Sequence, residues 1–266
     1  MWSTSTPSDS ITSAFACETP FVCTLCLFCL QANKEGCLEL GFSDHCPYPE
    51  TFEDVWQNVR MSMDEVALYK QELESAKEKA NFPLLWGFEC EYDERYKNYY
   101  ADTLLGSFGA NYLVLGSHWV TDGTNHVGAP SIKDNSLLNR YIDQTIAGMQ
   151  TGYFAFLAHP DLFMMGHKEW DMQAKACLTA LLDAAVDLQI PLEINGLGIS
   201  RTPNETARGL RYPYPYTEFW ELVSESKAKV ICNSDSHNPN DVIFNAWKAR
   251  DFAGRFGITP IEKLQF

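Results

Sequence analysis

The chain has 266 residues, is 45% hydrophobic, and carries a formal net charge of −15 from 35 acidic and 20 basic residues. Its length accommodates one domain with a substantial core, and its charge argues against nucleic acid or anionic lipid as the main partner. An anionic small substrate stays open, because bound cations invert the local field of a pocket. Residues 1–14, rich in Ser, Thr and Pro, are expected to form a disordered tail, leaving 15–266 as a single domain. Cys17, Cys23, Cys26, Cys29, Cys37 and Cys46 crowd the first fifth of the chain. The run Cys23, Cys26, Cys29 can hold part of a zinc or iron–sulfur site, but it is apolar, has no turn glycine between thiols and lacks a second pair. Cys90, Cys177 and Cys232, in apolar surroundings, read as small buried hydrophobes, and Cys46 as structural. The apolar stretch from Phe21 to Leu30 is too short to span a bilayer and no basic leader precedes it, so a reducing cytoplasmic location is expected.

From about residue 35, short apolar runs alternate with longer helix-like segments. The strand candidates are 38–43, 83–89, 112–117, 153–158, 191–194 and 229–233; the helix candidates are 52–80, 134–150, 171–187, 217–226 and 240–254. Apolar residues recur at three and four in Ala176, Ala180, Ala184 and in Phe219, Leu222, Val223. Such alternation predicts parallel strands with crossover helices. No GxGxxG or GxxxxGK[ST] is present, so no nucleotide cofactor is expected, and a barrel is favoured because polar residues fall at the strand ends.

Those ends carry the chemistry. The first candidate strand runs into Asp44 and His45, the second into Glu89, the third into His118, and the fourth into His159 followed by Asp161. The fifth contains Glu193 with Asn195 after it, and the sixth runs into Asp235 and His237. Four of the six histidines thus follow an apolar strand. In a parallel barrel these ends converge on one rim, where imidazoles and carboxylates make a ligand set for zinc, iron or manganese. His126 and His167 sit in predicted loops. The aromatic-rich segment 91–100 reads as a half-buried amphipathic element.

The motifs GFSDHCP (41–47), WGFECEY (86–92), LGSHW (115–119), AHPDLF (158–163), LEINGLG (192–198) and NSDSH (233–237) resemble, in order, those of the PHP family of metal-dependent phosphoesterases. They are most similar to its histidinol-phosphatase branch. The resemblance implies a distorted seven-stranded (β/α) barrel with two to three divalent transition metals (Zn, Mn or Fe) on its rim. It further implies that Glu89 bridges two metals, His118 and His159 complete the second, Asp235 binds the first, and His45 and His237 bind the third. Asp235 and His237 are also the residues available to relay protons, and Arg201, Arg208 and Arg211, on the loop after Asn195, are candidates for gripping a substrate phosphate. The implied reaction is hydrolysis of a small phosphomonoester, L-histidinol phosphate first among them, with no nucleic-acid or membrane partner and with homo-oligomerisation left open. The chain departs from the family at its start: no histidine precedes His45, so the H-x-H pair and the histidine after it are absent. If residues 15–30 occupy the first strand, Cys17 and Glu18 are the nearest substitutes; the favoured reading is that this stretch is mispacked or disordered, with its apolar FVCTLCLFC run exposed. Another phosphoesterase or amidohydrolase-like hydrolase, or a catalytically weak barrel that binds metal or partners, are the alternatives.

Overall fold

A computed structural model describes residues 24–49, 59–122 and 125–264. Helix α1 (Thr24–Lys34) leads into β1 (Leu40–His45), and α2 (Val66–Lys77) into β2 (Leu84–Cys90). A π-helical turn (Tyr99–Ser107) precedes β3 (Tyr112–Leu115), and the antiparallel pair β4 (Trp119–Asp122) and β5 (Asn125–Gly128) precedes α3 (Asn135–Gln150). Then follow β6 (Phe156–Leu157), α4 (Met164–His167), α5 (Met172–Leu188), β7 (Leu192–Asn195) and α6 (Gly196–Ile199). A short hairpin of β8 (Asn204–Thr206) and β9 (Gly209–Arg211), α7 (Thr217–Ser224), β10 (Val230–Asn233) and α8 (Val242–Arg255) complete the chain.

Among the described residues, the six apolar runs read from the sequence become the six strands of one parallel sheet, in the order β1-β2-β3-β6-β7-β10. The sheet curls into an open, distorted half-barrel of α/β type. Its strands are buried on both faces, as a parallel sheet covered by helices requires. In β3 the period of two is visible: Leu113 and Leu115 join the main core under the helices, whereas Tyr112 and Val114 join Phe156, Ala158 and Ile231 in a second cluster inside the curl. Ile261 and Leu264 pack against that inner cluster, and the Ile261 N–H donates to Val230 O at 2.7 Å.

Among the described residues β1 and β10 are the two edges of the sheet. Helix α1 packs against both α2 and α8, the helices that follow those edges, and so covers the seam. Residues 24–30 are therefore helical and packed on the core, which corrects both readings of that part of 15–30, a first strand and a mispacked or disordered run. Leu25, Cys26, Phe28, Cys29 and Ala32 are buried, at helical spacing. An isolated helix of this length is marginal, but burying Leu25 and Phe28 contributes about 2 kcal/mol each and tertiary packing decides the outcome. Cys26 and Cys29 pack in the core, as the apolar character of their run suggested, and Cys23, Cys17, Glu18 and the expected tail 1–14 lie outside the described residues. Cys46, Cys90, Cys177 and Cys232 are buried thiols outside any disulfide.

Four of the helix readings are close in extent, with one face wrong; the reading 52–80 was too long, since α2 spans Val66–Lys77 and residues 50–58 lie outside the described residues. Helix α5 buries Ala174, Cys177, Leu178, Leu181, Leu182 and Ala185, while Ala176 and Ala180 are exposed; the larger apolar side chains outcompete the alanine stripe for the core. Asp134 and Asp171 cap α3 and α5 by accepting from Leu137 N and Ala174 N, each at 2.8 Å, satisfying N–H groups that a helix start leaves unpaired. Among the described residues no helix is long and apolar enough to cross a membrane.

Candidate metal centre

Parallel pairing sets His45 of β1 directly beside Glu89 of β2. The backbone then turns sharply at the strand ends: Ser117, His159 and Asp235, each two residues beyond β3, β6 and β10, have φ of 48°, 28° and 47°. This left-handed region disfavours side-chain-bearing residues, and strain of this kind gathers at functional sites. Here it aims the residues after each strand onto the rim.

Glu89, 8% exposed, is the hub. Its Oε1 lies 3.1 Å from His159 Nε2 and 3.6 Å from His118 Nε2, and its Oε2 lies 3.6 Å from His45 Nδ1. The rings of His118 and His159 are 4.8 Å apart and those of His45 and His118 5.4 Å apart. Burial acts to raise the Glu89 pKa, but the His118, His159 and His45 imidazoles outweigh it and hold the carboxyl well below the usual range. Burial likewise acts to lower His159, yet its hydrogen bond to Glu89 and the charge of that carboxylate prevail and raise it to about 9. His45 is lowered, first by burial and then by His118, against the pull of Glu89.

A ring of buried polar groups stands behind the hub. Glu91 Oε1 lies 2.6 Å from His118 Nδ1, and Oε2 accepts from the His118 backbone N–H at 2.8 Å. Glu193 accepts from His159 N at 3.0 Å, Asn195 Nδ2 at 2.9 Å and Asn233 Nδ2 at 2.9 Å. Burial lifts the Glu193 carboxyl to about 7 despite His159. Asn195 Nδ2 also reaches Asp235 Oδ2 at 2.9 Å, and its Oδ1 caps α6 through Gly198 N at 2.9 Å. Asp161 accepts from Tyr216 N and from Trp220 Nε1, tying the end of β6 to α7, and burial raises it to about 6. Gly116 is required by contact: a Cβ there would lie 2.7 Å from His118 Cε1 and 3.0 Å from Glu89 Oε1.

The donor set suits a transition metal. Ligand atoms of His45, Glu89 and His118 all lie within 4.8 Å of one another, a nitrogen and oxygen set compatible with Zn, Mn or Fe. Among the described residues His159 Nδ1 is buried without a hydrogen-bond partner, so the ring is held by its Nε2 contact with Glu89 and by the rings packed on it. Of the other residues singled out in the sequence, Asp235 is half-buried beside Asn195 and His237 is exposed. His126 lies on β5, with Nδ1 3.4 Å from Thr121 Oγ1, and His167 ends α4, 3.0 Å from Asp171; neither is in a loop, as their polar surroundings had suggested. A cavity of about 870 Å³ lined by Tyr112, Phe154, Ile190 and Lys229 opens at the starts of the strands, away from this rim.

Arg208 sits at the turn of the β8–β9 hairpin and Arg211 on β9, while Arg201 lies in the irregular segment between α6 and β8. Arg211 Nε and Nη2 grip buried Glu218 at 3.0–3.2 Å, and Arg208 lies 3.9 Å from the same carboxylate. Arg201 Nε donates to Tyr214 OH at 2.9 Å, and the Tyr214 ring packs 5.9 Å from that of His159. Among these three, Arg201 is the one tied to the hub.

The fold has solved counterparts. The putative histidinol phosphatase HisK of Listeria monocytogenes matches at TM-score 0.66 and 17% identity, over 88% of this chain and 96% of that one. The histidinol phosphate phosphatase of Lactococcus lactis, complexed with zinc, L-histidinol and phosphate, matches at TM-score 0.66 and 14% identity over 97% and 99%. The catalytic domain of a Paenibacillus polymyxa β-amylase matches at TM-score 0.50 and 8% identity over 95% and 91%. At such identities the likeness is one of fold. A comparison with curated proteins returns no match. The PHP domain model matches residues 23–196, more than half of the sequence and a span that includes His45, Glu89, His118 and His159: the chain belongs to the PHP domain family.

Proposed function

We propose that the chain is a metal-dependent phosphomonoester hydrolase, with L-histidinol phosphate as the first substrate to test. The observation that carries this reading is the Glu89 carboxylate met by three imidazoles, from His45, His118 and His159, on the rim of a parallel half-barrel. These four residues would hold the cation, with Asp235 and His237 at the margin as the further donors inferred from the sequence. Bound divalent cations supply Lewis acidity toward phosphoryl oxygens and toward water. Glu89 supplies the negative charge that offsets them. Arg201, whose Nε donates to Tyr214 OH and whose guanidinium lies over the same ring, is the arginine that would offer its terminal N–H groups to a phosphate dianion. Asp235, half-buried and held by Asn195, is placed to take or return a proton at the rim. The similarity in fold to the Lactococcus lactis enzyme, which holds zinc, L-histidinol and phosphate, selects the first substrate.

A second reading has its own support. Among the residues of this sequence no histidine precedes His45, where the family resemblance implies an H-x-H pair, and phosphoryl transfer depends on electrostatic stabilisation. A barrel that binds metal with little turnover would result. The test is to load the protein with Mn, Zn or Fe and measure phosphate release from L-histidinol phosphate, other phosphomonoesters and an amide control. Turnover confined to phosphomonoesters supports hydrolysis. Stoichiometric metal with no turnover on any of them favours the second reading.

A further inference from the structure

We infer that Glu91 is a positioning residue for the metal centre, holding the His118 ring so that Nε2 faces the cation; this rests on the proposed metal-binding reading. Glu91 follows β2 at a spacing of two from Glu89, so the two carboxylates project to the same side of the strand. They then divide the work. Glu89 reaches the Nε2 side of His118, and Glu91 takes the other side, with Oε1 on Nδ1 at 2.6 Å and Oε2 on the backbone N–H of the same residue at 2.8 Å. A carboxylate that already accepts the backbone N–H pairs best with Nδ1 as a second donor. That fixes the tautomer: the proton sits on Nδ1, and the lone pair of Nε2 points toward Glu89 and the cation. Carboxylate partners of this kind orient ligating imidazoles and make them more basic.

Glu91 is itself held on its backbone. Its carbonyl accepts from Tyr48 OH at 2.7 Å and Tyr100 OH at 2.6 Å, and its N–H donates to Tyr48 OH at 2.9 Å. Tyr48 comes from the loop after β1 and Tyr100 from the π-helical turn, and both are buried. The side chain is 6% exposed, so water competes little for His118. The bare α-carbon of Gly116 leaves the ring room.

The experiment measures zinc affinity by chelator competition for the wild type, Glu91→Gln, His118→Ala and the double variant. A 10- to 100-fold loss is expected for Glu91→Gln, with the metal-free protein unfolding at nearly the wild-type temperature. No further loss is expected when it is added to His118→Ala, because the effect passes through that ring. An affinity within twofold of wild type for Glu91→Gln, alongside a loss for His118→Ala, overturns the inference and leaves the metal centre standing. An equal loss with and without His118 also overturns it, by showing a merely structural role. Unchanged affinity in His118→Ala overturns both. Imidazole 15N spectra of the metal-free wild type need no variant: the inference requires His118 protonated at Nδ1, and Nε2–H with bare Nδ1 refutes it.

Discussion

The His159 Nε2 atom lies 3.1 Å from Glu89 Oε1 although their strands are not neighbours, since β3 separates β2 from β6. The curl of the sheet and the left-handed backbone at His159 bring them together. Replacing His159 with Ala should therefore remove a ligand without removing a strand. Metal retained after dialysis should fall sharply by elemental analysis, and unchanged content would count against His159 as a ligand.

Gly116→Ala tests the same hub through space alone. The added methyl meets a ring pinned on one side by Glu91 and a carboxylate pinned by three imidazoles, so His118 and Glu89 must separate. Zinc affinity should drop by about tenfold or more, on the scale of other changes that disturb ligand orientation. Competition with a chromogenic chelator reads this directly.

Arg201 and Arg211 should respond in different ways. Arg201→Ala should raise KM and lower kcat/KM for a phosphomonoester, with the melting temperature nearly unchanged. Arg211→Ala leaves buried Glu218 without its bidentate partner and should cost about 2 kcal/mol of stability, visible in urea unfolding. The reverse pattern would reassign the phosphate contact.

Asp171 links helix capping to pH. Slight burial opposes ionisation, but Ala174 N–H and His167 outweigh it and hold the carboxyl below its usual value. A depressed folded-state pKa contributes stability that is present above about pH 3.9 and is lost as pH falls through the folded-state value. Asp171→Ala should cost about 1 kcal/mol near neutrality, with little from His167 because Asp171 is half-exposed. The difference from wild type should shrink in acid; a constant difference down to pH 3 would contradict the assignment.

The strands of this sheet were legible because each is a continuous apolar run, and the hub was legible because His45, Glu89, His118 and His159 each stand at the end of one. Helix α1 was not: its buried face, Leu25, Cys26, Phe28, Cys29 and Ala32, is embedded in a run that is apolar all round, with Leu27 and Leu30 exposed, and hides its period. The short pairs β4–β5 and β8–β9 give too few residues for alternation to show. Glu193, Asn195 and Asp161 stood out as strand-end residues, but their partners come from elsewhere in the chain and only the folded backbone reveals them. Glu91 did carry a signal, the spacing of two from Glu89 in FECEY, which becomes meaningful once His118 is known to face both carboxylates.

The left-handed residues after β3, β6 and β10 have a consequence for anyone seeking a hardier form of this protein. Glycine would relieve steric cost of about 1 kcal/mol at each, so selection for heat tolerance alone would favour glycine at Ser117, His159 and Asp235. At His159 that exchange deletes a donor outright, and at Asp235 it removes the carboxylate beside Asn195. Durability and the proposed chemistry are thus set against each other at His159 and Asp235, and a thermostable descendant that keeps both residues would have gained its margin elsewhere.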